Sequence, residues 1–203
     1  MKKAETKNIE VEFCARLDSI DAFKNKLTAG EAEFIGSTYI CDIYFCDRSA
    51  TKFEDVEMDA VGSYSLRLRQ SKRGAENEHI TLNTKTITNK GDHNAWEEHE
   101  IEINDFTEAA KILNTAEFKP FFKLEKTRFS YRLDDMEICV EDITDFGGAV
   151  EIEIMCEAGE ESKAKENIKN FLHQCNLGDE KIVPKSITNI IMKEQAFKQE
   201  ISL

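Results

Sequence analysis

Glu10 and Glu12 stand two residues apart in Ile9-Glu10-Val11-Glu12-Phe13-Cys14-Ala15-Arg16-Leu17. Successive residues of a strand point to opposite faces. One face would therefore carry Glu10, Glu12, Cys14 and Arg16, and the other Ile9, Val11, Phe13, Ala15 and Leu17. Far downstream, Val150-Glu151-Ile152-Glu153-Ile154 repeats the acidic half of this pattern, and Glu141 lies in a strand just before it. Basic residues occupy other predicted strands: Arg67, Arg69, Lys85, Lys126 and Arg128. Carboxylate oxygens suit a hard cation such as Mg²⁺. Arginine forks and lysine ammonium groups suit phosphate oxygens. Turned into one interior, these groups must satisfy one another or hold ligands, and a polyphosphate with its cation uses both signs. Turned to water, they are ordinary solvated strand faces, the commoner arrangement. Residue types alone leave both readings open.

The elements that would position these groups are mostly strands, because period-two alternation dominates. After residues 9–17, Asp18 or Ser19 caps a helix to about Thr28 with Ile20, Phe23 and Leu27 on one side. Residues 33–47 form a long strand, and 48–62 a loop. Strands follow at 64–70, 79–87 and 96–103, with a turn at Asn89-Lys90-Gly91-Asp92. Asn104 or Asp105 caps a helix through about Leu113. Strands at 121–133, 136–143 and 149–155 are separated by Asp134-Asp135 and Phe146-Gly147-Gly148. Helices cover about 161–175 and 185–197.

Composition narrows the class. At 203 residues, with 40% hydrophobic and 33% charged, the chain reads as one soluble domain over residues 1–203, with a core of about 8–193. A formal charge of −13 disfavours non-specific contact with nucleic acid or an anionic membrane. No apolar stretch is long enough to cross a bilayer, and the first residues lack the apolar core of a secretory signal. The expected location is the cytoplasm, with the six cysteines reduced.

Several segments, taken in order, resemble the CYTH family, the triphosphate tunnel metalloenzymes. Glu10 and Glu12 match the opening Glu-x-Glu-x-Lys. Asp42-Ile43-Tyr44-Phe45 and Leu66-Arg67-Leu68-Arg69 are similar to strands of the cyclase-like branch. Lys85, Lys126-Thr127-Arg128, Glu141, and Gly147 followed by Glu151-Ile152-Glu153 resemble the later motifs. The resemblance implies a β-rich α+β fold, an eight-stranded antiparallel β-barrel with helices outside. It implies Mg²⁺ or Mn²⁺ on Glu10, Glu12, Glu141, Glu151 and Glu153. Phosphates would lie on Arg16, Arg67, Arg69, Lys85, Lys126 and Arg128, with Lys85, Lys126 and Arg128 in catalytic roles. The implied substrate is ATP, inorganic triphosphate or thiamine triphosphate. The implied reaction is triphosphate hydrolysis, with cyclisation of ATP to cyclic AMP and pyrophosphate as the alternative and non-catalytic binding of a polyphosphate or nucleotide as a third. Neither nucleic acid nor membrane is an expected partner, and a homodimer is left open.

Three positions depart from the family pattern. Cys14 replaces the lysine, Trp96 replaces an arginine ahead of Glu98 and Glu100, and Glu141 replaces an aspartate. Cys14 is read as a neutral space-filler, with Arg16 a partial substitute for the missing charge. Glu98, Glu100 and Glu102 read as a solvated face, His79 and His99 as ordinary strand residues, and Trp96 as packing.

Overall fold

A computed structural model describes residues 8–58, 60–76, 78–87, 96–183 and 186–201. The expected turn at residues 89–92 lies outside them, as does the side chain of Trp96. The strands are β1 (Asn8–Leu17), β2 (Glu33–Asp47), β3 (Tyr64–Arg73), β4 (His79–Ile87), β5 (Trp96–Ile103), β6 (Phe118–Leu133), β7 (Met136–Ile143), β8 (Gly147–Glu157) and β9 (Ile182–Val183). The helices are α1 (Ile20–Ala29), α2 (Phe106–Thr115), α3 (Glu161–Gln174) and α4 (Ile187–Gln195). Ser19 caps α1 by accepting from Ala22 N at 3.2 Å, and Asp105 caps α2 by accepting from Glu108 N at 2.8 Å.

The chain forms two compact units. The first comprises residues 1–37 and 127–187, the second residues 38–126 and 188–203. In the first, the hydrogen-bonded order is β6-β7-β8-β1-β9; in the second it is β5-β4-β3-β2-β6. The β1–β8, β1–β9, β7–β8, β2–β3, β3–β4 and β4–β5 pairs are all antiparallel. The expected β-rich antiparallel fold with helices is present. The strands number nine among the described residues, and the hydrogen-bonded order is open, ending at β5 and β9. β9 has two residues, too few for alternation to signal.

Each unit buries the apolar side of its strands under helices. In the first, Val11, Ala15, Ile138, Val140, Val150, Ile152 and Ile154 pack with Phe23 and Leu27 of α1 and with Ala164, Ile168 and Leu172 of α3. The α3 residues recur every four positions, which places them on one helix stripe. In the second, Ile43, Phe45 and Leu68 pack with Ala110 and Leu113 of α2. Covering one side of a strand with apolar helix side chains fixes its register, because a one-residue slip would bury the charged side instead. The side chains that could do chemistry are thus set on the opposite faces.

Candidate functional site

In the first unit the register places Glu12 opposite Glu153 and Cys14 opposite Glu151. Side chains of directly paired residues share a face. Carboxylate oxygens of Glu10, Glu12 and Glu153 all lie within 4.8 Å of one another, and so do donor atoms of Glu12, Cys14 and Glu151. The crowding has an electrostatic signature. Burial, then the charges of Glu151, Glu10 and Glu12, push the Glu153 carboxyl up to about 7. Cys14 is buried in this cluster, with its thiol 3.0 Å from Glu12 Oε1 and 4.0 Å from Glu151 Oε2. Burial and the charges of Glu12 and Glu151 hold that thiol far above the ordinary range, so it stays protonated and donates to Glu12. All six cysteines are free thiols.

The remaining carboxylate of the expected cation set is engaged differently. Arg128 donates to Glu141 Oε1 from Nε at 2.9 Å and from Nη2 at 2.6 Å, and from Nη2 to Glu151 Oε1 at 3.1 Å. Burial alone would lower the Arg128 pKa; the charges of Glu141 and Glu151 outweigh it and raise the value above the ordinary one. Glu151 therefore touches both Arg128 and the thiol of the acidic cluster. Arg16 lies further along β1 and stacks its guanidinium 4.6 Å from the Phe146 ring centroid. There it lines a cavity of about 710 Å³ with Lys181, Gly147 and Val183.

The second unit holds the other basic residues. Asp42 faces Arg69 in the β2–β3 register, and Tyr44 faces Arg67. Asp42 is only 1% exposed and takes a two-pronged contact from Arg69, Nε to Oδ1 at 2.6 Å and Nη2 to Oδ2 at 2.8 Å. Burial pushes the Asp42 carboxyl up, but the Arg69 hydrogen bonds and the charges of Arg69, Arg67 and Lys126 more than reverse this, leaving it below the usual range. Lys126 is itself buried. On β4, Asn83 is buried and donates to Glu98 Oε1 at 2.5 Å, while Lys85 Nζ lies 3.1 Å from Glu98 Oε2. Burial raises Glu98, and the hydrogen bonds from Lys85 and Asn83 bring it below its ordinary value.

The structure therefore gathers Glu10, Glu12, Glu151 and Glu153 on one face with Arg128 and Glu141, and gathers Arg67, Arg69, Lys85 and Lys126 in the other unit. Glu98, Glu100 and Glu102 are all exposed, as expected, and Glu98 is also tied to Lys85 and Asn83. His79 and His99 are exposed beside Glu102 and Glu97. Sequence reasoning missed Asp42 and Asn83 as site residues. The signal for Asp42 was a carboxylate inside the apolar run Ile40-Cys41-Asp42-Ile43-Tyr44-Phe45-Cys46, where a buried charge requires a partner. Asn83 shares parity with Thr81 and Lys85.

No curated protein matches the sequence. Among solved structures, the chain is similar to the PH1819 protein of Pyrococcus horikoshii OT3, with a TM-score of 0.70, 23% identity, and coverage of 91% of this chain and 99% of that one. It is similar to a candidate adenylate cyclase of Vibrio parahaemolyticus, with a TM-score of 0.68, 18% identity and coverage of 90% and 97%. It also resembles a Hippeastrum adenylyl cyclase candidate whose dominant activity is that of a triphosphatase, with a TM-score of 0.61, 18% identity and coverage of 93% and 95%. The family model for the CYTH domain matches residues 8–187, a span that takes in residues of both units. On that match, the chain belongs to the CYTH family.

Proposed function

We propose that this protein is a metal-dependent phosphohydrolase acting on a triphosphate. The observation that carries this reading is the sorting of charge. One unit crowds Glu10, Glu12 and Glu153 within 4.8 Å, and the other presents Arg67, Arg69 and Lys126 to a buried Asp42 and Lys85 to Glu98. Burial and three neighbouring carboxylates, Glu151, Glu10 and Glu12, raise Glu153 to about 7, and the four together offer oxygen donors whose crowding a hard cation would relieve. The cluster fits Mg²⁺ or Mn²⁺, held by Glu10, Glu12, Glu151 and Glu153. When bound, the cation supplies positive charge that offsets the negative charge of the phosphates.

The chain's own residues have separate tasks in this reading. Arg67, Arg69, Lys85, Lys126 and Arg128 bind and orient phosphoryl oxygens, and Lys85, Lys126 and Arg128 stabilise charge that builds on the transferred group. Asp42 fixes the Arg69 fork, and Glu141 fixes that of Arg128, so neither guanidinium must be ordered when substrate arrives. Water then adds to the terminal phosphorus as its bond to the bridging oxygen breaks, giving orthophosphate and the shortened chain. The triphosphatase activity of the Hippeastrum protein supports hydrolysis as the first choice.

Cyclisation of ATP is the second reading. It is favoured by the fold likeness to the Vibrio parahaemolyticus protein and by the Asp42–Phe45 and Leu66–Arg69 segments. The deciding experiment incubates the protein with ATP, inorganic triphosphate and thiamine triphosphate, each with Mg²⁺ or Mn²⁺. Orthophosphate, pyrophosphate and cyclic AMP are measured together. Orthophosphate release supports the hydrolase; cyclic AMP with pyrophosphate replaces it with the cyclase; binding without any product leaves a non-catalytic binder.

A further inference from the structure

Among the described residues, Arg67 Nε and Thr81 Oγ1 are buried side-chain atoms with no hydrogen-bond partner. Both belong to the basic strands of the second unit. Arg69 pairs with Thr81 and Arg67 with Asn83 in the β3–β4 register. Thr81 therefore sits diagonally across from Arg67 on the same face. Thr81 is 3% exposed, so its hydroxyl is shut away from bulk water.

Neighbours on that face are already engaged. Arg69 commits Nε and Nη2 to Asp42. Asn83 and Lys85 share Glu98. Asp42 Oδ1 lies 3.9 Å from Arg67 Nε, beyond hydrogen-bond length, and is taken by Arg69 at 2.6 Å. Glu100 and Glu102 project from β5 on this side but are exposed. Leaving a buried hydroxyl unpaired costs the folded chain stability. Valine has the same branched shape, suits a strand equally and carries no such cost. A threonine held here at a loss points to something outside the chain that the hydroxyl meets. The two orphan atoms can both donate, and the basic strands around them favour an anion.

We infer that Thr81 Oγ1 and Arg67 Nε together anchor one phosphoryl oxygen, which makes Thr81 a substrate-binding residue. The inference rests on the triphosphate reading above.

Calorimetry with inorganic tripolyphosphate, with and without Mg²⁺, tests this on the full chain, alongside thermal melts of the ligand-free protein. Thr81→Val should weaken tripolyphosphate binding about tenfold while the melting temperature stays level or rises. Thr81→Ser, which restores the hydroxyl, should bind close to wild type. Unchanged affinity in Thr81→Val overturns the inference, and a lowered melting temperature with that result assigns the hydroxyl to a structural water. Should Thr81→Val fail to fold, Arg67→Lys decides, because it removes Nε and keeps the charge; unchanged affinity there also overturns it. Wild type that binds tripolyphosphate through Thr81 yet turns over no triphosphate upholds this inference and removes the hydrolase reading. Wild type that hydrolyses triphosphate while Thr81→Val matches it in binding does the reverse. Wild type that fails to bind tripolyphosphate overturns this inference and leaves the hydrolase reading to the turnover of ATP and thiamine triphosphate.

Discussion

Cys14 occupies a position where the family pattern has lysine, with its thiol 3.0 Å from Glu12 Oε1 and 4.0 Å from Glu151 Oε2. Two carboxylates thus face a neutral group where a cation would have two partners. Arg16, the candidate substitute for that charge, stacks its guanidinium on Phe146. Cys14→Lys should therefore raise triphosphate turnover about tenfold or more, on a charge-assisted contact of about 1.5–3 kcal/mol. Steady-state kinetics at saturating Mg²⁺ check this, and a folded variant with equal or lower turnover rules it out. Glu153 gives a second residue-scale expectation. Its folded value of about 7 stands above the ordinary 4.5, so the folded protein holds a proton that the unfolded chain releases. The stability Glu153 contributes is fully present below about pH 4.5 and is lost as pH rises through about 7. In metal-free buffer, the melting temperature of wild type relative to Glu153→Gln should fall across that window. A difference that stays flat with pH would contradict the crowding described for the acidic cluster. The individual charges of this cluster were legible in the sequence, since Glu10, Glu12, Glu151 and Glu153 follow from parity alone. The partners were not: that Glu12 meets Glu153, or Asp42 meets Arg69, depends on register between strands remote in sequence, and alternation within one strand carries no register.

At the scale of elements, strand bounds were most legible where alternation is sustained. β2, β4, β5 and β7 fall at the residues expected from sequence, 33–47, 79–87, 96–103 and 136–143. β6 begins earlier than the expected 121, at Phe118, and accommodates Pro120 within the strand. β8 begins at Gly147, inside the stretch read as a turn, and the glycine beside it has a packing role invisible to turn statistics. Gly148 pairs with Leu17 of β1. A Cβ at that position would lie 2.8 Å from Ile20 Cγ1 and 3.0 Å from Leu17 Cβ. The strand that carries Glu151 and Glu153 can lie against the start of α1 only because this side chain is missing. Gly148→Ala should destabilise the protein by roughly 1–3 kcal/mol through overpacking. Urea denaturation measures it, and an unmoved midpoint would show that Ile20 and Leu17 yield without cost.

For the whole molecule, the two units differ in how far apart their paired segments lie along the chain. β3, β4 and β5 follow one another and pair in sequence order. β1 pairs with β8, joining residues 8–17 to residues 148–157. Contacts between near neighbours in sequence form sooner, because less chain entropy is lost in closing them. Pulse-labelled hydrogen exchange during refolding should therefore show amides of β3 and β4 protected before those of β1 and β8. Simultaneous protection, or the reverse order, would contradict this. The β1–β8 pairing also sets a timetable during synthesis. β1 is made before β8, and at ribosomal rates the wait between Leu17 and Gly148 is on the order of ten seconds. Throughout that interval Glu10 and Glu12 exist without Glu151 and Glu153, while Val11 and Ala15 lack the α3 residues that cover them. A nascent chain thus displays an uncovered sticky strand through that interval, which makes β1 a segment that a chaperone would have reason to hold.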